Sequence, residues 1–110
     1  MDLVGPAMTK YLLFSGELID APTALRAGLV DRVVDADALD DEVRQFADVV
    51  SSRSALSQRA TKEVVADLAG GGDGAAVVER WYRETISSGE LAEGVTAFTE
   101  RRPPRFPWSG

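Results

Sequence analysis

The chain contains no cysteine and no histidine. The first absence excludes disulfides, thiolate nucleophiles and cysteine metal sites. The second removes the commonest general base and the commonest metal ligand. Positive charge is also scarce: 12 Lys and Arg against 18 Asp and Glu leave a net charge of −6. That balance argues against nucleic acid as a partner, because phosphate-backbone binding rests on clustered cations. A single basic cluster, Arg101, Arg102 and Arg105, interrupts the acidic background. No apolar run is long enough to span a membrane, and residues 1–10 lack both a basic start and an apolar stretch of signal-peptide type. The expected address is therefore cytoplasmic.

What is present suits a small folded unit. Of 110 residues, 45% are hydrophobic and 27% charged, enough apolar material for a core and unlike a disordered chain. A domain this small buries a smaller fraction of its surface than a large one, so contacts with partners matter to its stability.

The pattern along the chain predicts a mainly α fold, about six helices with one short strand. Pro6 suits a first helical turn, with Met8, Tyr11 and Leu12 at helical spacing and Gly16 as a stop. Asp20 is placed to cap a short helix from Ala21 that ends at Gly28. The aliphatic run at 29–34 reads as the strand, although one strand cannot satisfy its own backbone groups and so requires a partner elsewhere. Two helices are expected within 37–69. Asp37 is read as the cap of the first, with Leu39, Val43, Phe46 and Val50 as its apolar stripe. The second follows Ser54, with Leu56, Ala60, Val64 and Leu68 on one face. Residues 70–74 form a Gly-rich linker. It lacks the Lys-Ser/Thr and the preceding strand of a phosphate loop. Two more helices fall within 75–102. One carries Val77, Val78, Trp81 and Thr85 on a face, and the other Leu91, Val95 and Phe98. Ser87 and Glu90 have capping-box spacing for the latter. Pro103 and Pro104 stop it, leaving an extended tail over 103–110.

Three stretches, in order, resemble the enoyl-CoA hydratase/isomerase (crotonase) family. The first is Thr-Lys-Tyr-Leu-Leu-Phe-Ser-Gly at 9–16, followed by Ile19-Asp20-Ala21, Ala24 and Ala27-Gly28-Leu29-Val30. The second is the helix bearing Thr61-Lys62. The third is Glu93-Gly94, Ala97-Phe98, Glu100-Arg101-Arg102-Pro103 and Phe106. The resemblance spans almost the whole chain and is loosest before Ala75. It implies the C-terminal helical trimerisation region of the crotonase fold, the chain starting just past the Gly-rich helix of the catalytic spiral, at Val4-Gly5. In the family that spiral supplies an oxyanion hole of backbone N–H groups and, in hydratases, a pair of glutamates. The resemblance thus implies no catalytic residue and no metal site within this chain. It also implies assembly with itself, as a trimer or dimer of trimers, or with a full-length family member.

The resemblance further implies that Phe98 and Arg101 contact the adenine and phosphates of coenzyme A, the ring by stacking and the guanidinium by charge pairing. Each residue has a plainer reading. Phe98 completes an apolar stripe, and packing is the favoured reading for it. Arg101 could instead be a solvated charge complementing the end of its helix. Arg102 is read as an ion-pair partner, and Lys62 as a surface lysine despite its match to a recurrent family lysine. Glu90, Glu93 and Glu100 are read as one polar helix face, not as paired catalytic acids. Trp81 and Tyr82 are read as packing in a helical core or interface. Asp37, Asp40 and Asp41 are read as helix-start acids, with no further ligands to complete a metal site.

The expected function is therefore that of the C-terminal part of a family member acting on acyl-CoA thioesters in fatty-acid metabolism, inactive by itself. The segment would mediate oligomer assembly and cover the coenzyme A end of the site. The alternative is a stand-alone, non-catalytic helical oligomerisation or interaction module, from a truncated reading frame or a fragment. Hydratases, isomerases and other members share this region, so the reaction within the family stays open.

Overall fold

A computed structural model describes residues 2–110. They form two compact units, 2–44 and 45–110. Among the described residues no helix is long and apolar enough to cross a membrane.

In the first unit, α1 spans Gly5–Ser15 and α2 spans Ala21–Arg26. Pro6 stands in the first turn of α1, where a missing N–H costs nothing. Gly16 ends the helix in the left-handed conformation, its N–H returning to the Leu12 carbonyl. α1 is apolar nearly all round, yet Leu13 is 75% and Phe14 84% exposed. Asp20 caps α2 by accepting from the Thr23 N–H at 2.8 Å. α2 closes at Gly28, with Leu29 N–H returning to Ala24 and Gly28 N–H to Leu25. Ala24 is the buried apolar residue of this unit.

The strand expected at 29–34 does not form: no described residue adopts strand structure, and 29–34 runs as bends and irregular chain without a ladder. The reason is the one that made it doubtful as a lone strand, since extended backbone becomes a strand only against a partner. Asp37 does not cap the next helix either. It lies inside a 3-10 turn, Ala36–Ala38, which precedes α3 at Leu39–Ser51. The turn makes the Asp37 carboxylate part of the entry to α3 instead of its cap. Asp40, Asp41 and Glu42 occupy the first turn, where negative charge complements the helix dipole. Glu42 pairs with Arg32. The apolar stripe exists, but Leu39, Val43 and Phe46 are each more than half exposed.

The second unit contains α3 from Gln45 onward, α4 (Ala55–Ala69), α5 (Ala75–Ser87) and α6 (Glu90–Glu100), with α4 packed on α5 and α5 on α6. Ser54 caps α4 by accepting from Ser57 N–H at 3.0 Å, while the Gln58 amide donates to the Val50 carbonyl. Those bonds set Leu56 inside, 1% exposed and the largest fully buried side chain among the described residues. The Gly-rich linker is closed by Asp67, whose carboxylate accepts from the Gly74 N–H at 2.9 Å. The helices of both units match the predicted α class.

The core is small, so its few members should carry disproportionate stability. Leu56→Ala is expected to cost about 2–5 kcal/mol through transfer and cavity terms. Ser54→Ala should cost about 1 kcal/mol through the lost cap, and Leu13→Ala within about 0.5 kcal/mol. Urea unfolding followed by circular dichroism checks this order.

Candidate functional site

The residues that the sequence marked for ligand contact lie at the C-terminal end of α6. Phe98 is 86% exposed, so the packing reading fails within this chain: its ring stands off the helix with no cover. The stripe it shares with Leu91 and Val95 is likewise exposed, and it is small Ala97, 2% exposed, that faces inward. Three residues on, Arg101 is exposed, and its guanidinium makes no hydrogen bond or ion pair among the described residues.

Arg101 is also the one non-glycine residue with positive φ among those described, at 54°. Its N–H returns to the Phe98 carbonyl and that of Arg102 to Ala97. This is the same double closure that Gly28 makes for α2, built on a residue that bears the left-handed steric penalty.

The turn is gripped by Glu93. Arg102 donates to it through two guanidinium nitrogens, at 2.7 and 3.0 Å. The Arg105 N–H donates to the same carboxylate at 2.5 Å. Arg102 also reaches Glu100 at 2.6 Å and the Pro103 carbonyl at 3.2 Å. The forked, charge-assisted pair is the strong kind. The Arg102 guanidinium, then the Arg105 N–H, hold the Glu93 carboxyl down at about 2, and Glu93 in turn raises the Arg102 pKa. Arg102 is therefore the ion-pair partner anticipated for it.

Further along, the tail crosses the ends of α5 and α6. The Trp108 N–H donates to Glu90 and its indole N–H to Glu84, each at 3.1 Å. The Trp108 ring meets Trp81 edge-on, centroids 5.9 Å apart, in the favoured geometry for aromatic pairs. Trp81 donates to Glu63, which also pairs with Arg80, and together they hold Glu63 below the usual carboxylate range. The packing reading of Trp81 thus stands, while Tyr82 is 58% exposed.

The three glutamates do not form one polar face. Glu90 is 4% exposed, drawn inside because it accepts from the tail; its second carboxylate oxygen and the Ser88 hydroxyl are buried without partners. The capping box is absent as well. Gly89 precedes α6 in the left-handed conformation with no side-chain cap, and the Ser87 hydroxyl donates backward to Glu84. Lys62 is exposed. Asp40 and Asp41 sit in the first turn of α3, and no group of metal-ligating side chains occurs among the described residues. Sequence reasoning missed Glu84 and Trp108. The only signal was a tail tryptophan beyond two prolines, with acids on the preceding helices.

A family model described as enoyl-CoA hydratase/isomerase matches residues 2–108. The chain belongs to the enoyl-CoA hydratase/isomerase family. It is 41% identical over 108 residues to a Thermus thermophilus protein described as "Putative enoyl-CoA hydratase", covering 94% of this chain and 42% of that one. It is 34% identical to a crotonyl-CoA hydratase of Syntrophomonas wolfei, covering 94% of this chain and 41% of the relative. The crystal structure of an enoyl-CoA hydratase from Bacillus anthracis superposes with a TM-score of 0.84 at 28% identity, covering 96% of this chain and 42% of that one. The chain thus spans about two fifths of the length of the relatives it matches.

Two outcomes follow from the grip on this family segment's last helix. The Glu93 carboxyl is lowered from an ordinary 4.5 to about 2. Its contribution is therefore complete above that ordinary value and is lost as pH falls through the interval toward 2. Glu93→Gln should remove this component, shifting the acid transition seen by tryptophan emission; identical transitions in both chains would contradict it. Separately, Arg101→Gly should raise stability by about 1 kcal/mol by relieving the left-handed penalty, read as a higher urea midpoint at unchanged slope.

Proposed function

We propose that this chain is the C-terminal part of a family member acting on acyl-CoA thioesters in fatty-acid metabolism. Its role is to assemble the oligomer and to cover the coenzyme A end of the site. The observation that carries the reading is the pairing, one helical turn apart, of an uncovered aromatic ring at Phe98 with a guanidinium at Arg101 that no side chain neutralises among the described residues. An exposed ring stacks on adenine, and a free guanidinium forms forked bonds with phosphate.

The chemistry of thioester hydration or isomerisation needs donors for the charge that develops on the carbonyl oxygen and a group to move protons. In this reading those groups belong to the remaining three fifths of the family fold, and this chain contributes binding. The exposed apolar side chains of α1 and α3, Leu13, Phe14, Val43 and Phe46 among them, support assembly, because apolar surface of this kind is what subunit interfaces bury. Partners are then further copies of this chain or a full-length family member.

Crotonyl-CoA hydration, followed by the loss of conjugated-thioester absorbance, provides the test. The chain by itself should give no turnover above buffer at high protein concentration, and hydration by the chain alone would overturn the division of labour. Light scattering should return a mass that is a multiple of the single chain. A monomer independent of concentration would sink the assembly role, and an oligomer indifferent to coenzyme A would favour a non-catalytic helical module.

A further inference from the structure

The left-handed turn at Arg101 needs something to hold it. Two other helices of the chain close through the same pair of backbone bonds, α2 at Gly28 and α4 at Gly71, and both use glycine, for which positive φ carries no penalty. α6 uses arginine. The compensation comes from Glu93, about two turns upstream. Both Glu93 oxygens are occupied, one by Arg102 and the Arg105 N–H, the other by the second nitrogen of the Arg102 fork. Glu93 sits on the rigid helix, and Arg102 and Arg105 follow the turn. Arg101 is thus the residue between the helix and the chain that the helix grips.

We infer that Glu93 is a positioning residue for Arg101: by gripping Arg102 and Arg105 it fixes the turn from which the Arg101 guanidinium is presented to a phosphate. The inference rests on the coenzyme A reading of Phe98 and Arg101 given above. Glycine at position 101 would close the helix with less strain, but it carries no cation. The arginine is kept in a costly conformation, and Glu93 supplies what keeps it there. The same carboxylate is unavailable for acid–base work, since three N–H donors already occupy it.

The probe is adenosine 3′,5′-bisphosphate, titrated calorimetrically into the 110-residue chain and its variants. Arg101→Ala should weaken binding by roughly tenfold or more, as for loss of a charged hydrogen bond. Glu93→Gln should weaken it by roughly three- to tenfold, and the double variant should bind no worse than Arg101→Ala alone. A merely structural role would instead weaken binding in both backgrounds, and that result overturns the inference. Amide hydrogen exchange supplies an arm that needs no nucleotide. In Glu93→Gln the Arg101 and Arg102 amides should exchange at least roughly tenfold faster, beyond any loss of protection that α4 and α5 share. Unchanged exchange overturns the positioning role whatever the nucleotide does. Faster exchange with binding indifferent to Arg101→Ala, or with no binding at all, upholds the grip and overturns the coenzyme A reading. Should Glu93→Gln fail to fold, Arg102→Lys keeps the charge but loses the fork, and it must shift the same amides in the same direction.

Discussion

The forked pair between Glu93 and Arg102 governs the C-terminal end of α6. It joins the middle of α6 to the residues just after it, and so decides where the helix stops and how the tail departs. Its strength comes from geometry. Two parallel N–H donors meet two carboxylate oxygens, and a backbone N–H adds a third bond to the same group. The tail is then held twice more, by Glu90 and Glu84 on Trp108. Without the first grip those later contacts would have to fix a chain leaving α6 in an undefined direction.

The rest of the structure is marked by what it leaves open. Only Ala24, Leu56 and Ala97 are buried apolar residues among those described, while many large apolar side chains on α1, α3 and α6 face outward. That distribution is the observation behind the proposed assembly role. The family relation supplies the context, since the chain spans about two fifths of the relatives it matches. The exposed stripes of α3 and α6 are regular helical faces, and their regularity is what a partner helix or sheet requires. The proposed division of labour, contact here and bond chemistry elsewhere, accords with a segment whose best-placed carboxylates are committed to holding its own backbone.

Much of the fold was legible because helix ends are written locally. Asp20 and Ser54 cap through bonds to the third residue beyond, and Pro6 and Gly16 bracket α1 within a few residues. The errors fall where a residue's role depends on something distant. The run at 29–34 has strand composition, but composition supplies no ladder. Glu90 has capping-box spacing with Ser87, yet a tail residue eighteen positions away claims its carboxylate and draws it inside. Phe98 has core spacing, but Ala97 holds the inward position. The candidate site was legible as a pair of residue types at the end of α6. Its support at Glu93 was not, because an acid on a helix looks the same whether it faces water or a returning arginine.

By itself the amino-acid sequence determined the helical class, the positions of most caps and stops, the family and the exclusion of cysteine and histidine chemistry. These depend on residue identity and on spacings of three or four along the chain, which helix geometry converts directly into structure. Only the tertiary structure decided which glutamate grips, which is buried and which aromatic ring stands free. It also decided that Arg101 closes its helix with positive φ. Those outcomes depend on where the chain returns after Pro103 and Pro104, and no local spacing specifies that path.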